Sequence, residues 1–273
     1  MWIFAIVLIC AALLVWFLYD GTNRLQVTRT EVAVALETPL TLVHLSDLHA
    51  KQFGPGNAAL YETIERQRPD LICFTGDLFN RSLEGDCEAT LEFMVRLTRL
   101  APVVFIYGNH DVGCGLEDYM EQRLTDGGVH VLCNEMLTLE LRGQTVSLLG
   151  LQELGVRAED IPALVGTLEQ ADGLRVLLSH YPENFSLKSA YDYKQYDIDL
   201  VLSGHAHGGQ FILPLLGGLY APGQGVLPKY YSGLYVENGV SLVVNRGLGG
   251  IGFPFRLFNR PEVGVLTLGA KTA

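Results

Sequence analysis

The chain is poor in basic residues. It carries 19 Lys and Arg against 30 Asp and Glu among 273 residues, which gives a formal net charge of −11. Proteins that bind nucleic acid neutralise the phosphate backbone with basic surfaces, so this balance argues against a nucleic-acid partner. The acidic balance does not exclude a small phosphate ester, because bound metal ions can dominate the local field whatever the overall charge.

Disulfide frameworks, cysteine metal knuckles and phosphate-binding loops are also missing. The five cysteines have no Cys-x-x-Cys spacing and no pattern typical of a small disulfide-built domain, so we interpret them as unpaired. There is no P-loop, and the His-x-His-x-Asp-His motif of metallo-β-lactamase-like hydrolases is absent. These absences exclude several common routes to metal binding and phosphate chemistry.

One long apolar run stands at the N-terminus, over residues 2–19. As a helix it would span roughly 27 Å, close to the ~30 Å hydrocarbon core of a bilayer. Neither a basic start nor a small-residue cleavage site is present, which favours an uncleaved single-pass anchor in the cell membrane over a signal peptide or a core helix. Arg24 and Arg29 follow the run and no basic residue precedes it, which predicts a cytoplasmic catalytic domain.

Five short runs rich in Val, Ile and Leu have the character of buried strands, and each is followed directly by a polar cluster. The runs are 40–46, 71–75, 103–107, 174–179 and 198–203. The clusters are Asp47-Leu48-His49, Gly76-Asp77, Gly108-Asn109-His110-Asp111, Ser179-His180 and Gly204-His205-Ala206-His207. Open α/β sheets place their chemistry beyond the carboxyl ends of the strands, so we expect these clusters to converge.

Helical spacing alternates with the first strands, and hairpin-like strands follow. Helices are predicted near 57–67, 86–100, 116–124 and 161–170, and further strands near 27–37, 129–133, 137–142, 145–150, 231–237 and 240–245. This order predicts an α/β sandwich of two sheets with helices outside. The predicted organisation is a transmembrane anchor over 1–20, a juxtamembrane segment and first strand over 21–39, and a single catalytic domain over 40–273.

The clusters offer oxygen and nitrogen ligands but no thiolate. The candidates are the carboxylates of Asp47 and Asp77, the imidazoles of His49, His180, His205 and His207, and the amide oxygen of Asn109. Such ligands suit Mn, Fe or Zn. Two divalent ions roughly 3.5–4 Å apart require a shared ligand, and a carboxylate such as that of Asp77 can bridge them.

The ordered series Asp-x-His, Gly-Asp, Gly-Asn-His-Asp, a lone His and Gly-His-x-His resembles the calcineurin-like metallophosphoesterase superfamily over residues 40–245. The resemblance implies a four-layer αββα sandwich of two mixed β-sheets flanked by helices. It also implies that the first metal is held by Asp47, His49, Asp77 and His207, and the second by Asp77, Asn109, His180 and His205. His110 and Asp111 are implied as the catalytic pair, with Asp111 accepting a hydrogen bond from the His110 ring.

Three further features resemble the membrane-anchored bacterial phosphodiesterase branch of that superfamily. Besides the anchor, they are the run Gly204 to Gln210, Asn245-Arg246-Gly247-Leu248-Gly249 and Phe255-Arg256-Leu257-Phe258. This branch includes enzymes implicated in cleaving the pyrophosphate of UDP-2,3-diacylglucosamine. The resemblance therefore implies a phosphodiester or pyrophosphate substrate that is linked to a lipid.

The expected chemistry is hydrolysis by a hydroxide that bridges two divalent ions, with His110 donating a proton to the leaving oxygen. A phosphomonoesterase, including a phosphoprotein phosphatase, and a catalytically silent membrane-tethered binding protein are the alternatives. Arg246 is a candidate contact for the substrate phosphate, or else part of a salt bridge that supports its turn. The apolar segment 204–228 is expected either to form a rim that meets lipid or to pack over the second sheet.

Overall fold

The computed structural model describes residues 2–83, 85–250 and 255–269. Its helices are α1 (Trp2–Asn23), α2 (Ala58–Glu65), α3 (Cys87–Leu97), α4 (Asn109–Val112), α5 (Glu117–Asp126) and α6 (Ile161–Glu169). Its longer strands and short bridging strands are β1 (Gln26–Ala33), β2 (Leu40–Leu45), β3 (Leu71–Thr75), β4 (Val103–Ile106), β5 (His130–Val131), β6 (Glu135–Leu141), β7 (Gln144–Gly150), β8 (Leu174–Leu178), β9 (Leu200–Ser203), β10 (Ile212–Leu213), β11 (Gly217–Gly218), β12 (Tyr220–Ala221), β13 (Gly225–Val226), β14 (Gly233–Glu237), β15 (Val240–Val244) and β16 (Glu262–Gly269).

Two mixed sheets carry the domain. The first has the order β1-β16-β2-β3-β4-β5, and the second has the order β14-β15-β9-β8-β7-β6. The strands from β2 to β5 run parallel, as do β15, β9, β8 and β7. Because parallel strands end at one edge of a sheet, the loops after β2, β3 and β4 leave the first sheet together.

Three apolar clusters hold these layers together. One lies between the sheets and contains Leu42 and Val104 from the first sheet and Leu148 from the second. The other two pack α2, α3 and α5 against the first sheet and α6 against the second. The order helix, sheet, sheet, helix confirms the predicted αββα sandwich.

Local sequence signals explain several element boundaries. The Asp86 carboxylate accepts a hydrogen bond from the Ala89 backbone N–H at 2.9 Å and so caps the first turn of α3. Strands β6 and β7 are joined by Arg142 and Gly143, whose φ values of 50° and 76° match a two-residue hairpin turn. The Asn57 side chain accepts a hydrogen bond from the Phe53 backbone N–H at 2.8 Å and does not cap α2.

The strand β16 was not predicted. It lies between β1 and β2, parallel to the former and antiparallel to the latter, and it is buried along almost its whole length. The strand predicted over 27–37 is β1, which ends at Ala33 and joins the first sheet through β16. The segment 21–39 therefore contributes a strand to the same sheet as β2, β3 and β4.

Helix α1 has 22 residues, none of which is buried. It is long and apolar enough to cross a membrane, and it continues to Asn23, beyond the apolar run at residues 2–19.

The apolar segment 204–228 forms two small hairpins, β10–β11 and β12–β13. Its side chains divide between partly buried positions such as Phe211 and fully exposed ones such as Leu215.

Candidate metal centre

The ends of β2, β3 and β9 bring four buried side chains into one cluster. These are Asp47, His49, Asp77 and His207, whose candidate ligand atoms all lie within 4.8 Å of one another. The Nε2 atom of His207 is 3.2 Å from Asp47 Oδ1 and 3.4 Å from His49 Nε2. His49 Nε2 lies 3.8 Å from Asp77 Oδ2. The cluster joins residues that are far apart in sequence.

A second cluster contains Asp77, His180 and His205, again with ligand atoms within 4.8 Å of one another. His180 Nε2 is 3.5 Å from Asp77 Oδ2 and 3.2 Å from His205 Nδ1. The carboxylate of Asp77 is therefore common to both clusters. Two cations that share a ligand need this arrangement.

The donor atoms fit a pair of divalent cations. Asp77 Oδ2 and Asn109 Oδ1 are buried and have no hydrogen-bond partner in the part of the chain that the structure describes. Leaving a buried carboxylate oxygen unpaired is costly, and a cation would satisfy it. The Nε2 atoms of His49 and His207 also face each other. Two nitrogen lone pairs at this distance repel each other unless both bind the same cation. A metal-binding interpretation thus accounts for all four groups.

The chain reaches this geometry through very close backbone packing. Gly76 has a φ of 89°, and a Cβ atom there would lie 2.5 Å from the Gly108 nitrogen and 2.8 Å from His180 Nδ1. Glycine alone adopts this conformation and leaves this space free. On the other side, the His205 backbone N–H donates to the Asp47 carboxylate at 3.1 Å. The loops after the strands are thereby locked to each other.

Burial and the neighbouring carboxylates together set the protonation of the imidazoles. It lowers the pKa of His49 to about 4 and that of His205 to about 3, so both rings are neutral near pH 7. Burial raises the pKa of Asp77, but His180 and His49 outweigh this effect and bring it to about 2. Burial lowers the pKa of His180, yet Asp77 raises it to about 10. A cation that binds His180 therefore displaces a proton.

The structure corrects the prediction for Asp111. Its carboxylate accepts from the Phe79 and Gly108 backbone N–H groups, both at 2.9 Å, and does not accept from the His110 ring. The reason is local, because Asp111 lies in the first turn of α4 and its side chain folds back over the residue that begins that helix. His110 Nδ1 instead accepts from the Arg81 backbone N–H at 3.3 Å.

Arg246 does not extend toward the clusters as a free cation. Its side chain is buried, Nε lies 3.4 Å from Glu262, and Nη2 donates to the Thr28 hydroxyl at 3.1 Å. These contacts match the salt bridge that was the alternative prediction. An exposed guanidinium lies instead at Arg81, which donates to the Asn109 carbonyl at 3.2 Å.

A buried carboxylate that was not predicted supports His180. Glu153 accepts from the Ser179 hydroxyl at 2.5 Å, the His180 backbone N–H at 3.0 Å, the Asn184 amide at 2.7 Å and the Tyr193 hydroxyl at 2.9 Å. Burial raises its pKa, and these donors oppose that effect. The available signal was an acidic residue shortly after the strand predicted over 145–150, the same pattern that marked the other clusters.

Replacing Glu153 with glutamine is expected to weaken metal binding by about 10–100-fold, the usual cost of losing a group that orients a ligand. The new amide cannot accept from all four donors, so the loop that carries His180 loses its fixed position. Metal titration by calorimetry checks this result, with the exposed Glu135→Gln on β6 as the matched control. Equal metal affinity in Glu153→Gln and Glu135→Gln would contradict this role.

A second missed residue, Arg256, ties the Asp47 loop to the rest of the domain. Its guanidinium is buried and donates to the Gly249 carbonyl at 3.0 Å and to the Arg246 carbonyl at 2.9 Å. The Gly249 backbone N–H in turn donates to the Asp47 carbonyl at 2.6 Å. The motif around Arg256 is one of the features that resemble the membrane-anchored phosphodiesterase branch. The contact of its side chain with the Gly249 carbonyl has no local signature in the sequence.

The geometry can be compared with known families. The family model described as calcineurin-like phosphoesterase matches residues 40–209, which contain all the residues of both clusters. The chain belongs to the calcineurin-like phosphoesterase family. This membership confirms the predicted resemblance and makes the protein a phosphoesterase of the metal-dependent hydrolase class.

Relatives of this calcineurin-like phosphoesterase include uncharacterized metallophosphoesterase YkuE of Bacillus subtilis, with 34% identity over 83% of this chain and 78% of YkuE. Phosphodiesterase YaeI of Escherichia coli is 31% identical over 84% of this chain and 82% of YaeI. A transmembrane protein with metallophosphoesterase domain from Danio rerio is 29% identical over 94% of this chain and 60% of its own length.

Proposed function

We propose that this phosphoesterase uses two divalent cations to hydrolyse phosphodiester or pyrophosphate bonds. The observation that carries the proposal is the position of Asp77, whose carboxylate belongs to both clusters while its Oδ2 atom has no hydrogen-bond partner in the described residues. A lone metal site would not need a shared carboxylate. The name of the relative YaeI, a phosphodiesterase, supports the same reaction class.

The proposed ligands follow from the two clusters and from the neighbouring amide. Asp47, His49, Asp77 and His207 would hold one cation, and Asp77, Asn109, His180 and His205 would hold the other. Mn, Fe and Zn suit these donors. When bound, such a pair polarises phosphate oxygens and lowers the pKa of water so that it can act as a nucleophile near neutral pH.

His110 is proposed to donate the proton that the leaving oxygen needs. Its Nδ1 atom accepts from the Arg81 backbone, so the Nε2 atom of the neutral ring carries the proton. The ring is half-buried and packs edge-on against His49, with centroids 4.9 Å apart. Burial lowers the pKa of His110, and Asp77 offsets part of this effect. The side chain thus stands beside the first cluster with one nitrogen available.

Arg81 is proposed to contact the substrate phosphate in place of Arg246. It is exposed, adjoins both Asn109 and His110, and makes no salt bridge among the described residues. A guanidinium here can bind phosphate oxygens through two N–H groups. Asp111 holds the loops around these residues through backbone contacts and has no direct part in the reaction.

We further propose that the substrate is linked to a lipid, as in pyrophosphate hydrolysis of the UDP-2,3-diacylglucosamine type. Residues 1–20 would anchor the chain in the cell membrane, and residues 40–273 would form the catalytic domain, with the strand within 21–39 completing its first sheet. Arg24 and Arg29 favour a cytoplasmic domain. The name of the Danio rerio relative contains both a transmembrane protein and a metallophosphoesterase domain.

Metal removal tests this function. Full-length protein stripped with a chelator is expected to lose turnover of bis(p-nitrophenyl) phosphate and to recover it when Mn, Zn or Fe is added separately. Turnover of p-nitrophenyl phosphate under the same conditions is expected to be slower. Faster cleavage of the monoester would favour a phosphomonoesterase, and no turnover of either ester with two metals bound would favour a binding protein.

A further inference from the structure

Helix α1 leaves the domain at the end that carries the metal ligands. Strand β1 runs parallel to β16, and β16 runs antiparallel to β2. The first residue of β1, Gln26, is therefore aligned with the edge where β2 ends, just before Asp47. Because α1 directly precedes β1, the anchor and the metal centre lie at the same end of the first sheet.

The last turns of α1 are docked on the domain and do not form a flexible tether. The contacts are Lys51 Nζ with the Thr22 carbonyl, the Arg256 backbone N–H with the Thr22 hydroxyl at 2.9 Å, Arg260 with Asp20, and the rings of Phe17 and Phe258 with centroids 5.4 Å apart. Three of these partners belong to the segment 255–260. The helix and the domain therefore keep one relative orientation.

The β10–β11 hairpin adjoins that same segment. Phe211 forms a β-bridge with Leu257, and the Ile212 backbone N–H donates to the Leu257 carbonyl at 3.0 Å. The tip of the hairpin carries Leu215 and Leu216, whose exposed fractions are 106% and 64%. Leu215 also has a φ of 72°, a strained value for leucine that turns its side chain to solvent.

The second hairpin adds further exposed apolar groups next to the first. We use the name apolar rim for Phe258, Leu215, Leu216, Tyr220, Val226 and Leu227, all of which are more than half exposed. Several such residues together are unusual on a monomeric surface and mark a contact with another apolar phase. Phe258 lies beside α1, and the two hairpins adjoin through Leu219, whose backbone N–H donates to the Phe211 carbonyl and whose carbonyl accepts from the Leu227 N–H, both at 2.9 Å.

We propose that the apolar rim inserts into the surface of the lipid bilayer that α1 crosses, so that the metal centre opens at the level of the lipid headgroups. This inference rests on the membrane anchor of the proposed function. The occupant follows from continuity, because residues 2–17 of α1 are exposed and Phe17, at the end of that exposed part, packs against Phe258 of the rim. Whatever surrounds the helix therefore also meets the surface beside it. Arg24 is exposed near the same end and suits anionic headgroups.

This placement narrows the substrate class of the metal centre. A hairpin that packs against the metal loop brings the bilayer close to it, since Gly218 in β11 lies directly against Gly209, two residues after His207. A substrate whose phosphate or pyrophosphate lies at headgroup height can enter without leaving the membrane. The substrate is therefore an amphiphile with its scissile phosphate next to its lipid portion.

Fluorescence quenching in vesicles tests the inference with the full-length chain. The two native tryptophans, both in α1, are replaced by phenylalanine, and one reporter is added as Leu216→Trp on the rim or as Val236→Trp. Val236 is a matched control because it is 60% exposed and lies at the opposite end of the second sheet, paired with Ser241. A third variant, Trp2→Phe alone, keeps Trp16 as the reporter of the anchor.

The vesicles contain phosphatidylcholine brominated on its acyl chains, together with phosphatidylglycerol. The Leu216→Trp reporter is expected to lose at least half as much fluorescence as Trp16 does, while Val236→Trp loses none. Quenching of Trp16 without quenching of Leu216→Trp would overturn the rim proposal and leave the anchor intact. No quenching of Trp16 would overturn the anchor and the rim together.

Two further outcomes would also overturn the proposal. A blue shift of Leu216→Trp that rises with protein concentration, without quenching by brominated lipid, would mean that a second copy of the chain covers the rim. Equal quenching of Leu216→Trp and Val236→Trp would mean that the domain has no fixed orientation on the membrane. Circular dichroism of each variant, compared with the parent chain, verifies that the fold is retained.

Discussion

Replacing His110 with asparagine is expected to reduce turnover by about 10²–10⁴-fold while both clusters still bind metal, because a proton donor is lost and no ligand is removed. The ring stands next to His49 and donates nothing to the described cluster atoms. The loss is expected to be largest for a diester with a poor leaving group. Steady-state rates on leaving groups of increasing basicity, with metal content measured in parallel, check this result.

A second histidine provides the control for that substitution. His130 is exposed at the start of β5, so His130→Asn makes the same chemical change away from the clusters and is expected to leave turnover unchanged. If His110→Asn hydrolyses a diester with a poor leaving group at close to the normal rate, His110 is not the proton donor. Loss of bound metal in His110→Asn would instead assign it a structural role.

Replacing Asp77 with asparagine is expected to have the largest effect of any single change in the site. The substitution keeps the size of the side chain but removes the negative charge that both clusters share. Turnover is expected to fall at or beyond the upper end of the roughly 10²–10⁴-fold range for one catalytic group. The number of bound metal ions, measured by elemental analysis, is expected to fall below that of the parent protein.

The exposed Asp172→Asn, in the turn before β8, is the matched control for this loss of charge. It is expected to keep the metal content and turnover of the parent. An Asp77→Asn protein that still holds two cations per chain and hydrolyses diesters normally would be incompatible with a shared carboxylate. The measurement thus tests the observation on which the proposed reaction depends.

Much of the fold could be predicted because its signals are local. The runs before Asp47, Asp77 and His205 are rich in Val, Ile and Leu, as is typical of buried parallel strands, and β3 occupies the predicted residues 71–75. The convergence of the polar clusters followed from a rule about strand ends, which needs no knowledge of side-chain contacts. The strand β16 was missed although Val263, Val265 and Leu268 give it an apolar character.

The contacts that support the site could not be predicted in the same way. The resemblance assigned Asp111 to the His110 ring, but helix geometry turns its carboxylate toward backbone N–H groups. Glu153 and Arg256 act across large sequence separations, on His180 and on the Asp47 loop. Such contacts depend on tertiary packing, and a single sequence holds no periodic pattern that identifies them.

The position of β16 has a consequence for how the protein is made. Strand β1 directly follows the apolar helix, yet its hydrogen-bonded neighbour in the described chain is β16, which is synthesised after both sheets are otherwise complete. Contacts between such distant segments form late, since a long loop must close first. Strand β1 therefore remains an open edge throughout the synthesis of the segments between it and β16, and the first sheet closes last.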